Sequence, residues 1–154
     1  QAHPDIAFIL DADAHVPILE LDKEQMNRAI VNLLDNAVAA VHAKYGNKEN
    51  KVSADAVEPK ISLSSIYDAE LGMVTISVSD NGTGVSDEEK RQIFEPYFST
   101  KKGGTGLGLA IVSSIVADHG GHLRIQDNEP GGSVFRIELP ASHKIARESD
   151  RRNG

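Results

Sequence analysis

Apolar and polar positions form blocks of two kinds along the chain, separated by turn residues. Ile6–Asp11 and Val16–Leu21 are short apolar segments around Ala12-Asp13-Ala14-His15, which predicts two strands and a turn. Asp22 then stands as a helix N-cap, with Gln25 in the capping-box position. Met26, Ile30, Leu33, Leu34, Ala37, Val38 and Val41 recur at helical spacing, and Gly46-Asn47 stops that helix. Asn47–Pro59 is polar and aperiodic and reads as a surface connection. Ile61–Tyr67 and Met73–Ser79 make a hairpin around Asp68–Gly72. Asp80–Gly84 is a turn-rich break, after which Ser86 caps a short helix through Ile93 with Glu89 as its partner. Glu95–Gly104 is irregular, Leu107–Asp118 is helical, and Gly120-Gly121 ends it. His122–Gln126 and Ser133–Leu139 form a last hairpin around Pro130-Gly131-Gly132, and Pro140 closes the final strand.

Hairpins alternating with single helices predict an α+β fold, a two-layer sandwich of one mostly antiparallel mixed sheet covered on one face by about three helices. At 154 residues the chain fits one domain. We place that domain at residues 1–140 and read 141–154 as a polar, flexible tail. The absence of cysteine removes disulfides and thiolate metal sites. No apolar run reaches the ~18–20 residues that span a bilayer, and Gln1–Pro4 does not open a signal peptide. A net charge of −7 disfavours nucleic acid as partner. An anionic ligand must therefore be held by local donors rather than by the overall field.

Three segments carry chemistry. Gly103, Gly104, Gly106 and Gly108 crowd the start of a helix. The unpaired N–H groups and partial positive charge there suit a phosphate, although the same pattern serves a plain hinge. Asp80-Asn81-Gly82-Thr83-Gly84 follows a strand and reads either as a tight turn or as a carboxylate set among glycines that let a flat ring approach. Such an Asp can accept a hydrogen bond from an adenine amino group. Asn32 and Asn36 lie one helical turn apart on one face, as a solvent-facing pair or as amide oxygens for Mg²⁺.

In chain order, Asn32-Leu33-Leu34-Asp35-Asn36-Ala37, Asp80-Asn81-Gly82-Thr83-Gly84, Ile93-Phe94-Glu95-Pro96-Tyr97-Phe98 and Gly104-Thr105-Gly106-Leu107-Gly108-Leu109 resemble the N, G1, F and G2 boxes of the catalytic ATP-binding domain of sensor histidine kinases, a Bergerat fold. His119-Gly120-Gly121, Gly131-Gly132-Ser133-Val134-Phe135 and Leu139-Pro140 extend the resemblance, which runs from about Asp5 to Pro140. The compact lid Phe94–Lys102 with Ser99-Thr100-Lys101 is most similar to nitrogen-regulation sensor kinases of the NtrB and NtrY kind. The resemblance implies ATP and Mg²⁺ as cofactors. Asn36 would ligate the metal and Asn32 support the phosphates. Asp80 would hold the adenine amino group, Gly82 and Gly84 would shape that wall, Val85 would pack on the ring, and Ser133 would help Asp80 through water. Gly104, Thr105 and the Gly106, Leu107, Gly108, Leu109 backbone would face the phosphates. Phe94 and Phe98 would anchor the lid, and Lys101 would reach the terminal phosphate. Many relatives carry a basic residue just after the second N-box asparagine. Ala39 and Ala40 stand there, so the lid lysines would supply that charge.

The fold also serves gyrase-type, Hsp90-type and mismatch-repair ATPases, in which a Glu four residues before the metal-binding Asn activates water. The corresponding residue is Asn32, whose amide has no useful basicity, and Asp35 points about 100° around the helix from Asn36. Phosphoryl transfer needs mainly positioning and charge stabilisation. The reading is a histidine kinase catalytic domain that gives the γ-phosphate to a histidine on a separate dimerisation domain, in two-component signalling to a response regulator. None of His3, His15, His42, His119, His122 and His143 sits in an acceptor setting, so the chain should not phosphorylate itself, and without the family's dimerisation helices it should be monomeric. It would be the cytoplasmic part of a membrane-anchored sensor. Alternatives are an anti-sigma-type serine kinase, or a nucleotide-binding regulatory module without turnover.

Overall fold

A computed structural model of the chain describes residues 5–46, 57–92 and 108–141. Its elements run β1 (Ala7–Ala12), α1 (Lys23–Tyr45), β2 (Lys60–Asp68), β3 (Met73–Asp80), α2 (Asp87–Gln92), α3 (Gly108–Asp118), β4 (His122–Asp127) and β5 (Ser133–Pro140). The strands form one five-stranded sheet in the order β1-β2-β3-β5-β4. β1 pairs parallel with β2, while the β2–β3, β3–β5 and β4–β5 pairs are antiparallel. A parallel neighbour needs a long crossover, and α1 provides it.

The expected α+β architecture with a mostly antiparallel sheet is therefore what the chain adopts. Alternation decides which face is covered. Ile61 of β2, Val74 and Val78 of β3, and Phe135, Ile137 and Leu139 of β5 point to one side and are buried. Onto them α1 lays Met26, Ala29, Leu33, Ala37 and Val41, and α3 lays Leu109, Val112, Ile115 and Val116. α2 buries no residue and is tied to the sheet by Lys90, whose ammonium lies 2.8 Å from the Asp127 carboxylate. On the opposite face, Arg136 donates to Gln126 at 2.6 Å and Arg124 to Glu138 at 2.8 Å, the polar cross-strand pairs of a face turned to solvent.

The expected strand Val16–Leu21 does not form. The Asp13 carboxylate accepts the backbone N–H of His15 at 2.9 Å and that of Tyr67 at 2.9 Å, which closes β1 against β2. Pro17 has no N–H to offer a ladder. The neighbour of β1 is β2, through the crossover, rather than the segment that follows it.

Helix ends follow the sequence with one exception. Ser86 and Glu89 bond reciprocally, the backbone N–H of each donating to the other's side chain. α3 ends in a Schellman motif, with Gly121 N–H on the Val116 carbonyl and Gly120 N–H on that of Ala117, both at 2.9 Å. Asp22 caps α1 by accepting the Gln25 N–H at 3.1 Å. The Asp22 N–H, however, goes to the Nε2 of His119 at 3.1 Å and not to the Gln25 side chain. The start of α1 thus meets the end of α3. The two helices are in contact.

Two glycines with positive φ test how much of this is close packing. A Cβ on Gly132, at φ +100°, would lie well inside contact distance of the Asp80 carbonyl oxygen, whereas one on Gly72, at φ +63°, meets nothing within 4 Å. Gly72→Ala should cost about 1 kcal/mol, the left-handed penalty alone. Gly132→Ala should cost upwards of about 3 kcal/mol because backbone must also move. Urea unfolding of both variants checks this, and equal losses would show that the Gly132 contact does not matter.

Candidate functional site

The site is assembled at the end of β3. Asp80 is the last residue of that strand, faces the helix layer and is 2% exposed. Its register partners are Ile61 on β2 and Ser133 on β5. One carboxylate oxygen accepts the Gly82 N–H at 2.8 Å, and the Ser133 backbone N–H also bonds the carboxyl group. Burial pushes this carboxyl above its ordinary value of 3.8. The bonds from Gly82 and Ser133 and the nearby Lys44 charge act the other way without cancelling it. A buried carboxylate with two backbone donors among the described residues keeps acceptor capacity for a ligand N–H.

The turn after Asp80 is locked to its surroundings. Asn81 donates through Nδ2 to the Glu58 carbonyl and accepts the Lys60 N–H on Oδ1, each at 2.9 Å, and its own carbonyl accepts the Tyr45 hydroxyl at 2.9 Å. Gly82 rests on α1 so closely that a Cβ there would stand 2.5 Å from the Ala40 carbonyl carbon and oxygen, and only glycine permits that approach. The Thr83 N–H donates to the same Ala40 oxygen at 3.3 Å. Gly84, at φ +80°, passes over the carbonyl of Gly132. Val85 packs on the core.

Ala40 is one turn beyond Asn36, so this contact joins the turn to the helix that carries both asparagines. Asn32 and Asn36 are half-buried, and neither amide has a hydrogen-bond partner among the described residues. Asp35 is exposed. A half-buried amide oxygen with no internal partner fits a hard-cation ligand shared with phosphates and water. Gly108 and Leu109 open α3, Leu109 buried and Gly108 with open space around its Cα. The structure thus brings Asn32, Asn36, Asp80, Gly82, Gly84, Val85, Gly108, Leu109 and Ser133 onto the helix-covered side of one sheet. Phe94, Phe98, Lys101, Gly104, Thr105, Gly106 and Leu107 lie outside the described residues, as does the tail beyond Ala141.

Sequence reasoning did not single out Asn128 or Lys44. Asn128 donates through Nδ2 to the Asp80 carbonyl at 2.8 Å, and its N–H closes the β4–β5 turn on Gly132. Asn ahead of a Pro-Gly-Gly turn was the available signal for the first. Lys44 lies in the last turn of α1 and supplies positive charge toward Asp80, with nothing local to mark it. His42 is half-buried and bonds Asp5 at 3.0 Å. Both ring nitrogens of His119 are engaged, while His122 is exposed on β4.

With that geometry in place, the family follows from comparison. The family of histidine kinase-, DNA gyrase B- and HSP90-like ATPases matches residues 21–143. The chain belongs to this family. The sensor histidine kinase ZraS of Salmonella typhimurium is 34% identical over 132 residues, 86% of this chain and 24% of the relative. The nitrogen regulation protein NtrY of Azorhizobium caulinodans is 32% identical, over 96% of this chain and 18% of its own length. The chain therefore spans about a quarter or less of these two relatives. The nucleotide-free catalytic domain of histidine kinase ThkA superposes with a TM-score of 0.68 at 31% identity, over 89% of this chain and 81% of that one. This ATPase domain is accordingly of the histidine kinase type, with the mixed fold of those catalytic domains. Among the described residues no helix is long and apolar enough to cross a membrane.

Asp80 makes a pH prediction. Its folded-state carboxyl holds its proton to higher pH than the unfolded 3.8. The folded state then binds more protons, so this group's contribution to stability falls as pH rises from 3.8 through the raised value and is level outside that window. Asp80→Asn should remove that fall. Subtracting the variant's urea stability from that of wild type, between pH 3.5 and 7, should give a curve that declines with pH. A flat or rising difference would contradict the burial account.

Proposed function

We propose that this domain binds Mg²⁺-ATP and passes its γ-phosphate to a histidine on a separate dimerisation domain of the same sensor kinase, for relay to a response regulator. The observation that carries the reading is Asp80, a buried carboxylate with spare acceptor capacity, joined through Gly82 and Ala40 to the helix that presents two asparagines without a partner among the described residues. Asp80 accepts the adenine amino group, Gly82 and Gly84 leave room for the ring, Val85 packs on it, and Ser133 supports the carboxylate. Asn36 holds the metal through its amide oxygen, Asn32 supports the phosphates, and the N–H groups at Gly108 and Leu109 face them. Bound Mg²⁺ supplies neutralisation of the phosphate charge. Outside the described residues, Gly104, Thr105, Gly106 and Leu107 extend that cradle, Phe94 and Phe98 anchor a lid, and Lys101 brings a mobile charge to the terminal phosphate.

Two neighbours support the ligand and the partner. The full-length kinase ShkA, 27% identical with a TM-score of 0.69, is a complex with AMPPNP. ThkA, 29% identical in that form, has been solved in complex with the response regulator TrrA. Transfer is favoured over hydrolysis because Asn32 stands where the ATPase branch has its Glu and cannot take a proton from water. The parent would be a membrane-anchored sensor of the group that includes ZraS and NtrY, with this domain in the cytoplasm.

Calorimetric titration of ADP and a non-hydrolysable ATP analogue, with and without Mg²⁺, tests the site. Wild type should bind. Asp80→Asn should lose about tenfold or more in discrimination of adenine from guanine, ~1.4 kcal/mol. Asn36→Ala should abolish the gain that Mg²⁺ gives. Lys101→Ala should weaken the triphosphate analogue but not ADP. No binding by wild type under any condition would sink the kinase reading and leave a regulatory module.

A further inference from the structure

We infer that His119 is a positioning residue, a strut that sets the axial register of α1 against α3 and so holds Asn32 and Asn36 at the height of the phosphate-facing start of α3. This rests on the nucleotide site proposed above. The ring joins residues 97 positions apart in sequence. A backbone N–H can only donate, so Nε2 accepts from Asp22 at 3.1 Å. A carbonyl can only accept, so Nδ1 carries the proton that bonds Ile115 at 2.8 Å. The two contacts demand the same neutral tautomer, and no ring nitrogen is left for another task.

Both ends of the strut are anchored. At one end, the Schellman motif fixes His119, and Gly121 is pressed so closely on β5 that a Cβ would lie well inside contact distance of the Glu138 carbonyl oxygen. At the other, the N-cap donor that a capping box would satisfy within its own helix is satisfied from α3 instead. Asn32 lies ten residues into α1 from Asp22, and Leu109 ten residues back along α3 from His119, each roughly 15 Å from the strut at ~1.5 Å per residue. A slide of α1 by a single residue would move the asparagines ~1.5 Å along α3. An error near 1 Å in placing reacting groups can cost about a hundredfold in rate.

The side-chain amide of Asn can keep the donor at the Nδ1 place but has no atom at Nε2, while Gln places an acceptor near Nε2. The test uses the 154-residue chain, ¹⁵N-labelled, and AMP-PNP. A through-hydrogen-bond coupling between Asp22 N and His119 Nε2 should be seen by NMR, with imidazole shifts of the Nδ1–H tautomer. By calorimetry, H119N should cut the affinity gained on adding Mg²⁺ by about five- to tenfold, and H119Q should restore it to within about twofold of wild type. An absent coupling, an H119N gain equal to wild type, or equal losses in both variants would each overturn the strut. Wild type that binds no nucleotide would overturn the site reading itself, and this inference with it.

Discussion

A carboxylate held almost wholly out of water at the end of β3 is the constraint around which the rest is arranged. Asp80 is 2% exposed, and charge in such a place is costly unless donors meet it. The donors are backbone N–H groups of Gly82 and Ser133, one on the turn that follows and one on the neighbouring strand. Their placement requires glycine twice. Gly132 must let its backbone touch the Asp80 carbonyl, and Gly82 must let the turn lie against α1. The same contacts that satisfy the carboxylate therefore also fix the β3–β5 junction and the seat of the helix bearing Asn32 and Asn36.

The remaining polar bonds near this junction serve rigidity. Asn81 staples the end of β3 to the start of β2 and accepts from Tyr45 at the end of α1, while Asn128 bonds the Asp80 carbonyl from the β4–β5 turn. Groups from four elements and their loops thus converge within a few residues of Asp80. A site that recognises a flat base by one hydrogen bond needs that bond's acceptor immobile, since discrimination comes from donors and acceptors left unpaired by the wrong ligand. The opposite face of the sheet carries ordinary cross-strand pairs.

Most elements were legible from periodicity and punctuation. The β2–β3 and β4–β5 hairpins, α1 and the Ser86–Glu89 box lie where alternation, helical spacing and turn residues place them. Val16–Leu21 shows the limit of that reading. Its apolar run satisfies a strand pattern, but a strand exists only with a partner, and β1 is paired to β2 across an intervening helix. Asp22 shows the same limit at a single atom. Its side chain caps Gln25 as the local pattern says, yet its N–H finds a histidine 97 residues away. Of the site, Asp80, Gly82, Gly84, Ser133 and the two asparagines were legible because turn chemistry and motif order mark them, whereas Lys44 and Asn128 act through space and carry no local mark.

By itself the sequence determined most of the segments that become strands and helices, Val16–Leu21 excepted, because backbone preference, capping and side-chain period act over a few neighbouring residues. It also determined the box order that points to a nucleotide. Only the tertiary structure decided the strand order β1-β2-β3-β5-β4, the burial that lifts the Asp80 carboxyl, the pressing of Gly82 on Ala40 and the bond from Asp22 to His119. Each of these depends on which distant surfaces meet, and burial and close approach are properties of the packed pair, not of either segment.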